Sequence, residues 1–351
     1  MAQRVLKIGR KLVGSGQPVF IIAEAGVNHN GRLDLALRLV DAAAGAGADA
    51  IKFQTFKAEG VVTKGGELVA YQKNNIRKFK NQLDMLRSLE IKESFYKSII
   101  KRCEKKNIIF LSTPHGGFQS VDFLEKFKVS AFKFGSGDIT NLPLLAYAAH
   151  FKKPIILGTG MSNMQEVRDA IRCIKKAGND KIVVLHCTTS YPCPHDEVNL
   201  AAMRSMAKEL DVLIGYSDHT HGIQAAVMAT TLGASVIEKH LTLDKNFSGP
   251  DHKASVEPKE FKEMVEWLRN IPIVLGSSSK KPTEQELLHR HLVRKSLVAD
   301  KDIMKGEIFT ENNLAIKRPG TGMMPERYFS IIGKRAKRNI SKDTILRQND
   351  Y

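Results

Sequence analysis

The stretch VLIGYSDHTHGIQAAVMATTLGASVIEKH, residues 212–240, decides the fold. It opens on an apolar run that closes with Gly-Tyr-Ser-Asp-His, passes through one helix's worth of chain, and ends on Val-Ile-Glu-Lys-His. A short, continuously apolar run is the pattern of a strand covered on both faces, as in a parallel sheet. Each of the two runs ends on a histidine, His219 and His240. In a closed barrel of alternating strands and helices the carboxyl ends of all strands face one mouth, and chemistry collects there. Two imidazoles at equivalent strand ends therefore share a rim, and neutral imidazole is a common metal ligand. The plainer reading, a local hydrogen bond for each ring, weakens once the second histidine repeats the position of the first.

Working outward, the same unit recurs. Short β-branched runs lie at 19–23, 50–53, 108–111, 131–134, 154–157, 182–185, 212–214 and 235–238, with helical periodicity between them at 33–46, 164–177 and 222–232, and after the last run at 258–271. Eight such units describe a (β/α)8 barrel with its helices outside. Residues 3–13 read as a hairpin turning near Gly9 that plugs the barrel floor. The connection from Gln54 to about Ile91 is far longer than an ordinary loop, carries Tyr71, Asn74 and Asn75, and reads as a lid or subunit contact. After Gly-Ser-Ser-Ser-Lys-Lys at 276–281 the alternation stops. The expected organisation is a barrel domain over 1–276, a linker over 277–285, and a small basic domain over 286–351 with short strands, turns and one short helix near 325–332.

With 351 residues, 42% of them hydrophobic, the chain is long enough for a barrel of about 250 residues and a second small domain. No apolar run approaches the roughly 20 residues that cross a bilayer, and the first residues lack a signal-peptide core, so a soluble, cytoplasmic protein is expected. Cys103, Cys173, Cys187 and Cys193 are dispersed and read as reduced thiols. The net charge of +17 is scattered over helices, with one short cluster at 334–338 and no aromatic platform or zinc module. That distribution argues against a nucleic-acid partner and for an acidic metabolite.

The strand ends supply the candidate site. Glu24 leaves the first strand, Lys52 and Gln54 the second, Thr113 the third, and Lys133, Ser136 and Asp138 the fourth. Thr159 ends the fifth, His186, Thr188, Thr189 and Tyr191 close the sixth, Ser217 and His219 the seventh, and Glu238 and His240 the eighth, with Asp251 just beyond. Two lysines inside a barrel are costly unless neutralised, so Lys52 and Lys133 imply a bound anion, with pairing to Glu24 or Glu238 as the structural alternative. Gly135, Gly137, Gly158 and Gly160 alternate with hydroxyl residues and would let backbone N–H groups approach phosphate oxygens. No G-x-S-x-G, G-x-G-x-x-G or Walker loop is present, which tells against a serine hydrolase or a nucleotide cofactor. The set favours lyase or transfer chemistry on a phosphorylated small acid.

At these residues the chain resembles the sialic acid synthase family. The marks are Ile-Ile-Ala-Glu-Ala-Gly-Val-Asn-His-Asn-Gly, Ile-Lys-Phe-Gln-Thr-Phe-Lys, Gly-Ser-Gly-Asp-Ile-Thr-Asn-Leu-Pro, His-Cys-Thr-Thr-Ser-Tyr-Pro, Gly-Tyr-Ser-Asp-His-Thr, Ile-Glu-Lys-His-Leu-Thr-Leu-Asp and Ser-Gly-Pro-Asp-His. The tail, with Ala-Ile-Lys-Arg-Pro-Gly-Thr-Gly, resembles the family's antifreeze-like (SAF, β-clip) domain. The resemblance implies condensation of phosphoenolpyruvate with an N-acetylmannosamine-type sugar to a nine-carbon 2-keto acid and phosphate. C3 of phosphoenolpyruvate attacks the aldehyde while water adds at C2, and the tetrahedral intermediate loses phosphate by C–O cleavage.

The implied roles fall on matching positions. His219 and His240 would hold a divalent ion, manganese foremost, with magnesium or cobalt as alternatives. Lys52, Thr113, Lys133, Ser136, Thr189 and Ser217 would contact phosphoenolpyruvate. Glu24, Gln54, Tyr191 and Asp251 would face the sugar, and Arg318 would reach the acceptor in the other subunit of a domain-swapped homodimer. Glu24 is the first choice for handling a proton, with Lys52, Lys133 and Asp138 also in the catalytic set. Two departures stand out: Gly158 replaces a common Ser, and Asp138 replaces a common Glu. The shorter Asp138 side chain suggests room for a bulkier acceptor, such as the diacetamido trideoxy sugar that yields N,N'-diacetyllegionaminate. A synthase acting on a phosphorylated aldose is the remoter alternative.

Overall fold

In the computed structural model, which describes residues 4–69, 72–73 and 79–351, eight parallel strands close on themselves. The chain begins with an antiparallel hairpin, β1 (Val5–Ile8) and β2 (Lys11–Gly14), which turns at Gly9 with φ +57°. The barrel strands are β3 (Phe20–Gly26), β4 (Ala50–Thr55), β5 (Ile109–Pro114), β6 (Phe132–Phe134), β7 (Ile155–Gly158), β8 (Ile182–His186), β9 (Leu213–Asp218) and β10 (Val236–His240). They pair in sequence order and β10 returns to β3. Helices follow the strands with conventional starts. Asn163 and Glu166 form a capping box before Met164–Lys176, and Glu257 and Glu260 do the same before Pro258–Leu275.

Strand parity separates two layers of core. Ile21, Ala23, Ile51 and Phe53 face outward into the apolar shell under the helices. Phe20, Ile22, Ala50, Ile109, Leu111, Ala131, Ile156, Val183, Leu213 and Val236 point inward and pack with Ile8 and Val13 of the hairpin. The hairpin thus stoppers the amino-terminal end of the barrel, ending one residue later than the sequence suggests. Continuing upward on the inward parity, five strands turn charged or polar: Glu24 follows Ile22, Lys52 follows Ala50, Thr113 follows Leu111, Lys133 follows Ala131, and Glu238 and His240 follow Val236. The side chains of the candidate site are therefore the top layer of the barrel interior.

The long connection after β4 contains two described helices, Ala58–Val61 and Gln82–Leu89. Val27, Phe56, Leu68, Met85 and Leu89 form a small apolar cluster of their own. Tyr71, Asn74 and Asn75 lie outside the described residues.

Contacts divide the chain into two compact units, Met1–Gly276 and Ser277–Tyr351. The second unit pairs β11 (Ser296–Ala299) with β12 (Leu314–Lys317) antiparallel around Leu297, Ile303, Phe309, Ile331, Ile340 and Leu346. One element departs from expectation: a helix, Glu284–Val293, begins inside the stretch read as linker. Its start is a capping box, with Thr283 accepting from the Glu286 N–H and Glu286 reaching back. None of its residues is buried, and its apolar residues Leu287, Leu288, Leu292 and Val293 are all exposed.

Candidate active site

At the centre of the barrel mouth lie four buried charges. The Lys52 Nζ is 2.8 Å from Glu24 Oε2 and 3.8 Å from Glu238 Oε2, and the Lys133 Nζ is 3.2 Å from Glu238 Oε1. The lysines thus carry protein counter-ions, the alternative to a resident anion. Strand register accounts for the pairing, because Glu24 lies beside Lys52 across β3 and β4. Lys52 also donates to Thr113 Oγ1 at 3.0 Å, and Ser217 donates to Glu238 Oε1 at 2.9 Å.

The two carboxyls behave oppositely. Burial raises Glu24 to about 7 against the pull of Lys52, with repulsion from Glu238 as a smaller push in the same direction. For Glu238 burial acts in the same direction, but the flanking Lys133 and Lys52 overcome it and hold the group at about 2. Burial alone would lower Lys133, yet Glu238 and Glu24 keep it above its ordinary value. Near neutral pH the quartet therefore holds one exchangeable proton, on Glu24. Glu238 is the residue that sequence reasoning undervalued. It reads as one more strand-end carboxylate, and only the closed barrel shows that it bridges both lysines.

Around the quartet is a cavity of about 250 Å3. Thr113, Ser136, Ser217, Gln54, Tyr191 and Asp251 all line it, as do both lysines, Glu24, His219 and His240. Asp251 Oδ2, Glu24 Oε1 and Gln54 Nε2 converge above Gly26, each within 3.6 Å of where a side chain there would begin. Burial lifts Asp251 to about 6 against the pull of Lys52. Beside Ser136, the Gly160 N–H donates to Ser136 Oγ at 3.1 Å and to Cys187 Sγ at 3.1 Å. A Cβ on Gly160 would sit 2.1 Å from Thr189 Oγ1 and 2.7 Å from Ser136 Oγ, so only glycine lets these hydroxyls close over the backbone. Gly158 lies in the same turn, where a Cβ would meet the Ser136 N at 3.3 Å.

Six expected site residues lie elsewhere; of these, Thr159 donates to the Leu185 carbonyl, His186 to the Val198 carbonyl and Thr188 to the Glu197 carbonyl, so all three are engaged with backbone outside the cavity lining. Asp138 belongs to a 3-10 turn, Ser136–Asp138, that rotates its carboxyl away from the cavity and to 3.9 Å from His115 Nδ1. His115 and Lys133, both in electrostatic reach of Asp138, do line the cavity. Thr189 is exposed at the rim and touches the site only through the Gly160 turn. Arg318 is exposed just past β12 and belongs to the second unit. His115, absent from the strand-end set, follows Ser-Thr-Pro at the end of β5, and its position one residue past a strand end is the signal that marks it.

His219 and His240 lie with ring centroids 5.6 Å apart, and Tyr191 stacks 4.3 Å from the first. His219 Nδ1 donates to the Thr188 carbonyl at 2.7 Å, which fixes its tautomer and leaves Nε2 with a lone pair. His240 Nδ1 is buried and has no hydrogen-bond partner among the described residues. Burial holds His219 down to about 4 and His240 well below its ordinary value, so both rings are neutral. Two neutral imidazoles, one oriented by a carbonyl and one with an orphaned nitrogen, fit a divalent ion. Among the described residues no group of three or more His, Cys, Asp or Glu is arranged to hold a metal, so water or substrate would complete the coordination.

A corked (β/α)8 barrel whose mouth gathers buried, paired charges around a cavity has the architecture of a barrel enzyme. The chain belongs to the NeuB family, phosphoenolpyruvate-dependent nonulosonate synthases: the family matches residues 39–280 and a SAF domain matches 294–351. It is 47% identical over 330 residues to the N,N'-diacetyllegionaminic acid synthase of Campylobacter jejuni, covering 93% of this chain and 98% of that one. The Legionella pneumophila protein of the same name is 46% identical over 344 residues, 96% of each chain. Among solved structures, the N-acetylneuraminic acid (sialic acid) synthetase of Leptospira borgpetersenii superposes with a TM-score of 0.73 at 34% identity, covering 82% of this chain and 95% of that one. Among the described residues no helix is long and apolar enough to cross a membrane.

Proposed function

We propose that this chain condenses phosphoenolpyruvate with 2,4-diacetamido-2,4,6-trideoxymannose, giving N,N'-diacetyllegionaminate and phosphate. The observation that carries the acceptor is the cavity's apolar wall. Val27, Phe56, Val61, Met85, Leu86 and Leu89 line the cavity, with Gln72 and Gln82 among them, and all of these apolar residues but Val61 belong to one apolar cluster. The trideoxy sugar presents a C6 methyl where N-acetylmannosamine has a hydroxymethyl, and a hydroxyl set against that wall loses its hydrogen-bond partners. The relatives named for this product, at 47% and 46% identity, support the same acceptor over N-acetylmannosamine. An apolar pocket rejects an added hydroxyl by about 100-fold at most, so a preference of about 10- to 100-fold in kcat/KM is expected.

In this reading Lys52 and Lys133 hold the charge of phosphoenolpyruvate, with Thr113, Ser136, Ser217 and the Gly160 turn around it. The substrate's anion displaces Glu24 from Lys52, and the released carboxyl, already raised to about 7, retains its proton. Glu24 then donates that proton to the acceptor oxygen as C3 of phosphoenolpyruvate bonds to the aldehyde carbon. A divalent ion held by His219 and His240, manganese foremost and magnesium or cobalt as alternatives, would supply Lewis-acid polarisation of that carbonyl. Water adds at C2 and passes one proton back to the ionised Glu24, and the tetrahedral intermediate then breaks its C2–O bond to phosphate, which leaves with the remaining hydroxyl proton beside Lys133. Asp251, Gln54 and Tyr191 orient the sugar.

The working form is a cytoplasmic homodimer with exchanged caps, in which Arg318 of one chain meets the acceptor in the other chain's barrel. Supporting this, Leu287, Leu288, Leu292 and Val293 are exposed on one helix of the second unit, and Ile273, Val274 and Leu275 end the last barrel helix exposed. The test is phosphate release from phosphoenolpyruvate and manganese with a panel of free and phosphorylated sugars, with products identified by mass. Equal or greater turnover with N-acetylmannosamine overturns the acceptor, and release only with a phosphorylated aldose overturns the reading.

A further inference from the structure

One feature of the histidine-bearing strands lies outside the cavity. Asp218 and Lys239 are fully buried on the outward parity of β9 and β10, beneath the helices. Lys239 Nζ donates to Asp218 Oδ2 at 2.8 Å and to the Thr220 carbonyl at 2.6 Å. Asp218 Oδ1 accepts from the Thr220 N–H at 2.9 Å and from the Thr220 hydroxyl at 2.8 Å. The pair therefore grips the residues on both sides of His219. Its lysine is bonded directly to His240. Across the ladder Asp218 stands opposite Lys239 and Ser217 opposite Glu238, so the outer pair and the inner Ser217–Glu238 hydrogen bond are successive rungs of one register.

A buried ion pair is a weak device for stability, since apolar residues of similar volume often serve as well or better. Its better-attested use is to fix a register or a geometry. Here the geometry within reach is the placement of two imidazoles, which sit 5.6 Å apart between centroids and must agree to about 0.5 Å to share an ion. We propose that Asp218 and Lys239 form a positioning clamp that sets the separation and orientation of His219 and His240, and through them the affinity for a divalent ion. The inference rests on reading those histidines as the ion's ligands. It assigns to two residues that touch neither substrate nor ion a part in binding, exercised through the turn at 218–220.

The experiment measures manganese binding directly, by the paramagnetic resonance of the free ion, alongside thermal unfolding and steady-state kinetics. The double change D218L/K239M replaces the pair with apolar groups of similar length. Its dissociation constant for manganese rises about 10- to 100-fold, as for other groups that orient metal ligands. In the kinetics kcat falls while KM for phosphoenolpyruvate moves little, because the lysine site is untouched. Thr220→Val, a near-isosteric change that removes one bond of the clamp, gives a smaller rise and serves if the double variant does not fold. Wild-type manganese affinity in a folded D218L/K239M, or in Thr220→Val where only that variant folds, overturns the clamp. No manganese binding by the wild type overturns the metal reading itself, and the clamp with it.

Discussion

Replacing Glu24 by Gln isolates the most unusual titration in the molecule. Glu24 is buried beside Lys52, and its acidity is displaced from 4.5 to about 7. Between those values the folded chain retains a proton that the unfolded chain has released, so this group makes stability fall as pH rises from 4.5 to 7 and contributes a constant cost above that. The gap corresponds to about 3 kcal/mol. Gln mimics the protonated carboxyl and cannot ionise. Unfolding by urea at pH 5, 6, 7 and 8 in a metal chelator, without substrate, should therefore show the difference between variant and wild type moving by about 3 kcal/mol in favour of Gln across that range. Whatever the substitution loses in packing appears equally at every pH and cancels. Asp251 and Asp138, raised to about 6, tilt both proteins alike. The lone tryptophan, Trp267, lies in the helix Pro258–Leu275, so its fluorescence follows the barrel unit and not the second unit. Stability curves that run parallel from pH 5 to pH 8 refute the reasoning, because they mean that Glu24 is ionised throughout and has no proton to donate.

Three further outcomes are expected. His240→Ala lowers phosphate release by at least about 100-fold and abolishes manganese binding, while its unfolding midpoint moves by only a few degrees; full activity returns the histidine to a structural role. Gly160→Ala drives a methyl against Thr189 and Ser136, so KM for phosphoenolpyruvate rises about 10-fold or more with the melting temperature little changed, and an unaltered KM refutes the cradle. Met85→Gln places a hydrogen-bonding group on the apolar wall and narrows the preference for the trideoxy acceptor over N-acetylmannosamine by about 10-fold, read as the ratio of kcat/KM values; an unchanged ratio means that the sugar does not meet this wall.

The barrel is legible in the sequence because its strands are buried on both faces, and a continuous apolar run such as residues 182–185 admits few other readings beside a periodic helix. The inward parity is legible too. Glu24, Lys52, Lys133 and His240 all continue an apolar alternation upward, and all line one cavity. What sequence does not carry is how far neighbouring strands slide past one another. That offset decides that Glu238 meets both lysines and that Asp218 meets Lys239. Asp138 shows a second limit: it follows a strand end by spacing, but a tight 3-10 turn intervenes and redirects its carboxyl toward His115. The helix Glu284–Val293 is a different case: Thr283 and Glu286 at capping-box spacing and Leu287, Leu288, Leu292 and Val293 are legible, but the helix begins inside the stretch that reads as linker after the glycine and serines.

The hairpin at the start of the chain carries a kinetic consequence. With Ile8 and Val13 packed into the amino-terminal end, the described residues leave the barrel one doorway, its mouth, which the helix Gln82–Leu89 helps to line. A vessel with one opening fills and empties in sequence. The molecule held at the lysines must enter before the one that rests on the apolar wall, and it cannot leave past an occupant above it. Phosphoenolpyruvate should therefore bind first and phosphate depart last. In steady-state terms, phosphate should compete with phosphoenolpyruvate and not with the sugar, an asymmetry that a barrel open at both ends would not impose.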